Sequence, residues 1–181
     1  MNKRTIAAIV FLLLCIAGIG HALYFYHCLP AQVAQHFGPS GQPDAWGSKM
    51  EFLIVYLGAI AVLAATFICA GVAISKVPDS AINLPNKDYW LAPERRQQTL
   101  DHMYSYLLWF GSLTTVFLID VFHQAFKVQL GKTTKLDHIW VSLEVFLTVT
   151  AVWCIALFRK FRKTESQPPP YSASRGGSPQ G

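Results

Sequence analysis

Four stretches of the chain are nearly free of charge, and polar segments separate them. Residues 5–26 and 52–75 contain no Asp, Glu, Lys or Arg. A third stretch, 103–126, is uncharged as far as Ile119 and then meets Asp120 and His123. The fourth, 139–158, holds one acid, Glu144. A hydrocarbon core of about 30 Å takes roughly 20 apolar residues as a helix. A barrel would need short alternating strands, so helices are the reading. The pattern predicts an all-α polytopic membrane protein with four transmembrane helices.

The segments between the spans carry their own signals. In the first loop, Pro30 suits the first turn of a short helix and Gly38 its end. Leu29, Val33 and Phe37 fall four apart, which predicts a short interfacial helix with one apolar face. Pro39-Ser40-Gly41 and Pro43-Asp44 are turn signals. Ser48 and Glu51 match a capping box at the start of the second span. In the second loop, Pro78, Pro85 and Pro93 are breakers. Pro93-Glu94-Arg95-Arg96 reads as a helix start that runs into the third span. The last 18 residues, 164–181, hold four Pro, three Gly and four Ser. They are expected to form a disordered tail, in which Pro168-Pro169-Pro170-Tyr171 fits a WW-domain ligand. The expected division is therefore a four-helix membrane domain, 1–163, and a tail.

Composition narrows the class. Of 181 residues, 52% are hydrophobic and 14% charged, and the mean hydropathy is +0.33. A soluble domain carries about 25% charge, so a soluble enzyme is excluded. The net charge of +5 suggests nucleic acid only until it is assigned by side. With both termini inside, 11 basic residues face the cytoplasm and 4 (Lys49, Lys127, Lys132, Lys135) face out. Cytoplasmic loops carry the Lys/Arg excess, so the chain is expected in the cell's inner membrane with both termini cytoplasmic. No nucleic-acid partner is expected. Lys76, Lys87, Arg95, Arg96 and the cluster at 159–163 are expected to meet anionic lipid heads. The first span also fits a secretory signal peptide with a Gly20-His21-Ala22 cleavage site, which would leave three spans. Four Cys without a CxxC give no disulfide framework and no zinc ribbon.

Two stretches carry a family resemblance. Residues 29–38 read Leu-Pro-Ala-Gln-Val-Ala-Gln-His-Phe-Gly. They continue as Pro39-Ser40-Gly41-Gln42-Pro43-Asp44-Ala45-Trp46-Gly47-Ser48-Lys49. A second run is Asn83-Leu84-Pro85-Asn86-Lys87-Asp88-Tyr89-Trp90-Leu91-Ala92-Pro93-Glu94-Arg95-Arg96. Both resemble a bacterial membrane domain of unknown function that also forms the N-terminal part of SdpI-type toxin-immunity proteins. The family-like region is 27–102. The resemblance implies a role in peptide immunity or envelope signalling, with a peptide or protein partner at the outer loop. It makes His36, Phe37, Gly41, Pro43, Asp44, Trp46, Gly47, Ser48 and Lys49 candidates for recognition. It adds Asn83, Pro85, Tyr89, Trp90, Pro93, Glu94, Arg95 and Arg96 on the inner side. Each outer residue also has a local role open to it. Trp46 suits an interface anchor, Gly47 a turn and Ser48 a cap, while Asp44 suits a turn cap or a pair with Lys49.

Candidate chemistry gathers on the outer side. His21, His27, His36, His123 and His138 fall there, with Asp44, Asp120, Asp137 and Glu144. Asp120 and His123 are three apart and neighbours on a helix face. Intramembrane acids default to a functional hypothesis. Asp120, His123 and Glu144 are thus candidates for a cluster that binds a divalent metal such as Zn²⁺ or passes protons. That would suit a transporter subunit or a metal-dependent membrane enzyme. The plainer reading is interface decoration, with Glu144 satisfied by a nearby hydroxyl. No catalytic motif is present, no catalytic residue is nominated and no cofactor is predicted. The leading reading is a non-enzymatic membrane protein.

Overall fold

The computed structural model describes residues 2–162. The predicted tail and its Pro-Pro-Pro-Tyr run lie outside the described residues. Four long helices take up the four apolar stretches. They are α1 (Lys3–Tyr26), α2 (Lys49–Lys76), α4 (Pro93–Gln129) and α5 (Ile139–Arg162). Each is long and apolar enough to cross a membrane, and the chain is a multi-pass membrane protein that meets the lipid bilayer. Many large apolar side chains point outward, including Leu13, Ile16, Val62 and Val152. Hydrocarbon is the solvent that suits such a surface.

The fourth helix, α4, is the spine. It packs against α1, α2 and α5. At 1.5 Å per residue its 37 residues span about 55 Å, well beyond a bilayer core. Its start, with Pro93 in the first turn and Glu94 beside it, projects into the inner loop. The core between α1, α2 and α4 is aromatic. Phe11, Tyr56, Phe67 and Phe126 are all buried there. Close helix approach depends on small residues: a Cβ on Gly71 would meet the Tyr104 ring, and one on Gly111 would meet Phe67 and Phe11. Gly58, by contrast, faces open space. α5 is peripheral, with Phe161 its one buried residue among those described.

The inner loop is folded rather than slack. A single 3-10 turn, Asp79–Ala81, and a four-residue helix α3 (Lys87–Trp90) carry it from α2 to α4. Ile82, Leu91 and Leu100 form a small second core beneath it.

The first outer loop overturns one expectation. It forms no interfacial helix; it is a β-hairpin of β1 (Gln32–Phe37) and β2 (Pro43–Ser48). The strands pair antiparallel, with Val33 opposite Gly47 and Ala34 opposite Trp46, and the register shifts on either side of His36. The reason is arithmetic. A spacing of four fits a helical stripe, but four is also an even number, so it fits one face of a regular strand as well. Local spacing does not separate the two. The partner strand, Pro43–Ser48, does, because it satisfies the backbone of 32–37. The turn signals stand: Gly41 takes φ +78° and donates its N–H to the Gly38 carbonyl at 2.8 Å.

Candidate functional site

The end of the bundle that carries the hairpin is built in two layers. The hairpin is the upper one. β2 runs straight into α2 through a reciprocal cap. The Glu51 N–H donates to Ser48 Oγ at 3.2 Å, and the Ser48 N–H donates to Glu51 Oε2 at 2.9 Å. Gly47 sits in a crowded place: a Cβ there would come within 2.8 Å of the Gln35 and Glu51 side chains, which would have to shift. Lys49 turns back, its Nζ 4.9 Å from the Tyr26 ring centroid and 3.5 Å from the Leu29 carbonyl. Asp44 does not pair with Lys49. It accepts from His36 Nδ1 across the strands at 2.6 Å. Both partners are exposed, so this pair contributes little to stability.

Three contacts hold the hairpin down. The strongest comes from Gln129, at the end of α4. The Ala34 N–H donates to Gln129 Oε1 at 2.8 Å, and Gln129 Nε2 donates to the Ala34 carbonyl at 2.7 Å. A side-chain amide carries a donor and an acceptor spaced like a peptide, so Gln129 acts as a one-residue strand on the free edge of β1. Both residues are buried. At the turn, the Leu136 N–H donates to the Gly41 carbonyl at 2.9 Å. Trp140 Nε1 donates to the Pro39 carbonyl at 3.1 Å. The sequence reading missed Gln129, because nothing local marks a glutamine at a helix end as a sheet partner. What stays outward on the hairpin is Trp46, 63% exposed, with His36 and Asp44. Phe37 and Pro43 face partly inward and close the strand pair.

Below the hairpin, α1, α2 and α4 meet in a hydrogen-bonded chain. Tyr56 Oη lies 3.2 Å from His21 Nδ1, and His21 Nε2 lies 3.2 Å from His123 Nδ1. The roles depend on the tautomers; with Tyr56 donating to His21 Nδ1, the His21 Nε2–H donates to His123 Nδ1 and the buried phenol proton has its acceptor. Tyr56 is fully buried and stacks on Phe122 at 3.8 Å between centroids. The chain thus begins at exposed His123 and ends on a buried phenol. It ties three helices together at one depth.

The candidate trio Asp120, His123 and Glu144 does not converge. His123 goes to His21. Asp120 accepts from Gln124 Nε2 at 2.8 Å. Glu144 lies exposed on α5 and makes no hydrogen bond or ion pair among the described residues, so no hydroxyl satisfies it. Gln124, buried, also donates to Ser142 Oγ at 3.1 Å and accepts from the His138 N–H at 3.1 Å, linking α4 to the head of α5. Helix spacing put Asp120 beside His123, but His123 turns to His21 on α1 and Asp120 to Gln124 one turn further along α4. Among the described residues, no three His, Cys, Asp or Glu stand together to hold a metal.

The inner motif residues are mostly ties within the loop. Trp90 Nε1 donates to the Phe161 carbonyl at 2.7 Å, and Asn86 Nδ2 to the Arg162 carbonyl at 2.8 Å. These satisfy carbonyls in the last described turn of α5. Arg95 stacks on Tyr89 at 4.2 Å. Arg96 pairs with Asp79 at 2.8 Å and donates to the Val77 carbonyl at 3.2 Å. Asn83 and Pro85 line an apolar cleft of about 500 Å³ between the inner loop, α4 and α5. Pro93 and Glu94 form the first turn of α4, the acid lying where the helix dipole favours it.

Comparison with known proteins adds one finding. Residues 13–60 match the family model described as "Domain of unknown function (DUF1648)". The matched segment covers the outer part of α1, the whole hairpin and the first turns of α2. It agrees with the resemblance carried by the 29–49 motif; the 83–96 run lies beyond it. No curated protein and no solved structure matches the chain.

Proposed function

We propose, from a domain centred on the outer hairpin, that this membrane protein recognises a peptide or protein ligand outside the cell, in SdpI-like immunity or envelope signalling. It does so as a non-enzymatic four-helix unit, 1–163, with both termini in the cytoplasm. One observation supports this above the others. The hairpin is clamped by Gln129 on its inner edge while Trp46, His36 and Asp44 face outward. A rigid element loses little freedom on binding, and an exposed indole is a common anchor in interfaces. The motif then divides by role. Gly41, Gly47, Ser48 and Lys49 build the hairpin, and His36, Asp44 and Trp46 meet the ligand. The excess of basic residues on the loop-and-tail side supports the orientation. With Arg95 and Arg96 engaged inside the loop, Lys76, Lys87 and Arg159 are left to face anionic lipid heads.

The test is genetic. A strain lacking the gene is challenged with a broad panel of membrane-active peptides. Sensitivity should rise for at least one peptide and be restored by the intact gene. The Trp46→Ala and His36→Ala variants should accumulate normally and fail to restore it. A deletion strain as resistant as its parent to the whole panel would remove the immunity reading.

A further inference from the structure

At the opposite end of the bundle from the hairpin, α1, α4 and α5 enclose a cleft of about 240 Å³. Its composition changes along its length. Lys3 and Lys160 lie at the ends of α1 and α5, with His102 beside them on α4, and Ile6, Trp109 and Trp153 lie deeper. From His102 to Trp109, and from Lys160 to Trp153, the step is seven residues, or about 10 Å along each helix. The cleft is therefore cationic at the membrane surface and aromatic below it. Tyr106 joins the two parts, with Lys160 Nζ 4.9 Å from its ring centroid and Trp153 packed on it at 5.3 Å.

The local charge is not already answered. The acid beside the cleft, Asp101, is taken by Arg4 at 2.9 Å and by Gln97 at 3.4 Å. Glu94 borders the neighbouring depression, which Arg4, Asp101, Lys3 and His102 also line. Lys3 and Lys160 form no ion pair among the described residues. His102 adds a ring N–H donor at neutral pH whether or not it is protonated. Ile6 and Trp109 are 38% and 39% exposed, so the cleft opens sideways to the bilayer.

We propose that this cleft binds an anionic phospholipid. Its phosphate sits among Lys3, His102 and Lys160, and its first chain carbons lie along Trp109 and Trp153. Basic recesses between spans on the cytoplasmic side hold such heads. The volume is too small for a folded partner. A lipid also matches the graded lining, which a free anion would use only in part. The larger apolar cleft at Asn83 and Pro85 lacks a comparable charged rim to select an occupant. The proposal rests on the orientation given above, which sets this end at the cytoplasmic leaflet.

The experiment places the full chain in nanodiscs of phosphatidylglycerol and phosphatidylcholine and counts retained lipid by native mass spectrometry. Phosphatidylglycerol should be retained about tenfold over phosphatidylcholine, since two lysines each give a factor of about five and desolvation takes part back. The Lys3→Gln/Lys160→Gln variant should lower the preference to about twofold or less. Lys132→Gln/Lys135→Gln, which removes two charges at the other end, should leave it unchanged. A parallel melting curve in phosphatidylcholine alone checks that both variants fold. Equal retention of the two lipids, or equal loss in both variants, overturns the proposal. So does displacement of the lipid by millimolar glycerol phosphate, which would make this a free-anion site. Labelling of Cys28 by an impermeant thiol reagent reads orientation separately. Labelling from outside with no lipid preference sinks the lipid site alone. Labelling only from inside, with the preference intact, sinks the orientation alone.

Discussion

Two side chains hold the outer end together in different ways. Gln129 supplies both bonds that the free edge of β1 would otherwise lack, and Ala34 is fully buried. Replacing it with leucine keeps the volume and removes both partners. Each of the two buried orphans costs about 1–3 kcal/mol, so Gln129→Leu should destabilise the protein by roughly 2–6 kcal/mol. Thermal unfolding in a mild detergent checks this, and an unchanged melting temperature would show that Gln129 is not the clamp. Tyr56 differs, because its ring does most of the packing. Tyr56→Phe keeps the stack on Phe122 and loses the hydrogen bond to His21. The expected loss is about 1 kcal/mol in the same measurement, with Tyr56→Ala costing about 3 kcal/mol or more. Both residues escaped the sequence reading for one reason. Gln129 looks like a polar helix end and Tyr56 like one more apolar-span aromatic, and their partners lie 95 and 35 positions away.

At the scale of elements, the chain announces its boundaries better than its loop structure. The cap at Ser48 and Glu51 was legible because a capping box is a local device, closed within four residues. Ser48→Ala removes one half of it and should cost about 1 kcal/mol. Because β2 enters α2 at this residue, amide exchange in β2 should also quicken, and unaltered exchange would separate the cap from the hairpin. Pro93 at the head of α4 was legible for the same reason. The hairpin was not, since strand pairing is a relation between two segments and residues 29–37 carry a spacing common to both structures. The tie of α5 to the inner loop was equally hidden. It runs through backbone carbonyls of Phe161 and Arg162, which have no sequence signature.

Across the whole molecule, the proposed orientation makes a direct prediction. Cys28 is exposed beside the hairpin, while Cys15 is buried inside α1. An impermeant maleimide applied to intact cells should label the protein, and Cys28→Ser should abolish that label. Labelling that needs broken cells would reverse the orientation. The four spans themselves were determined by sequence alone, because about 20 uncharged residues in a row have one stable fate in a bilayer. The inside-outside bias of Lys and Arg is likewise a property of the sequence, read without coordinates. Tertiary structure alone decided which groups meet. It sent His123 to His21 rather than Asp120, left Glu144 apart, made a strand pair of the first loop, and set Lys3 and Lys160 on one cleft. The physical reason is that hydrophobic length acts residue by residue along the chain. Hydrogen-bond partners and charge clusters are instead set by how the helices pack, over separations that no local period reports.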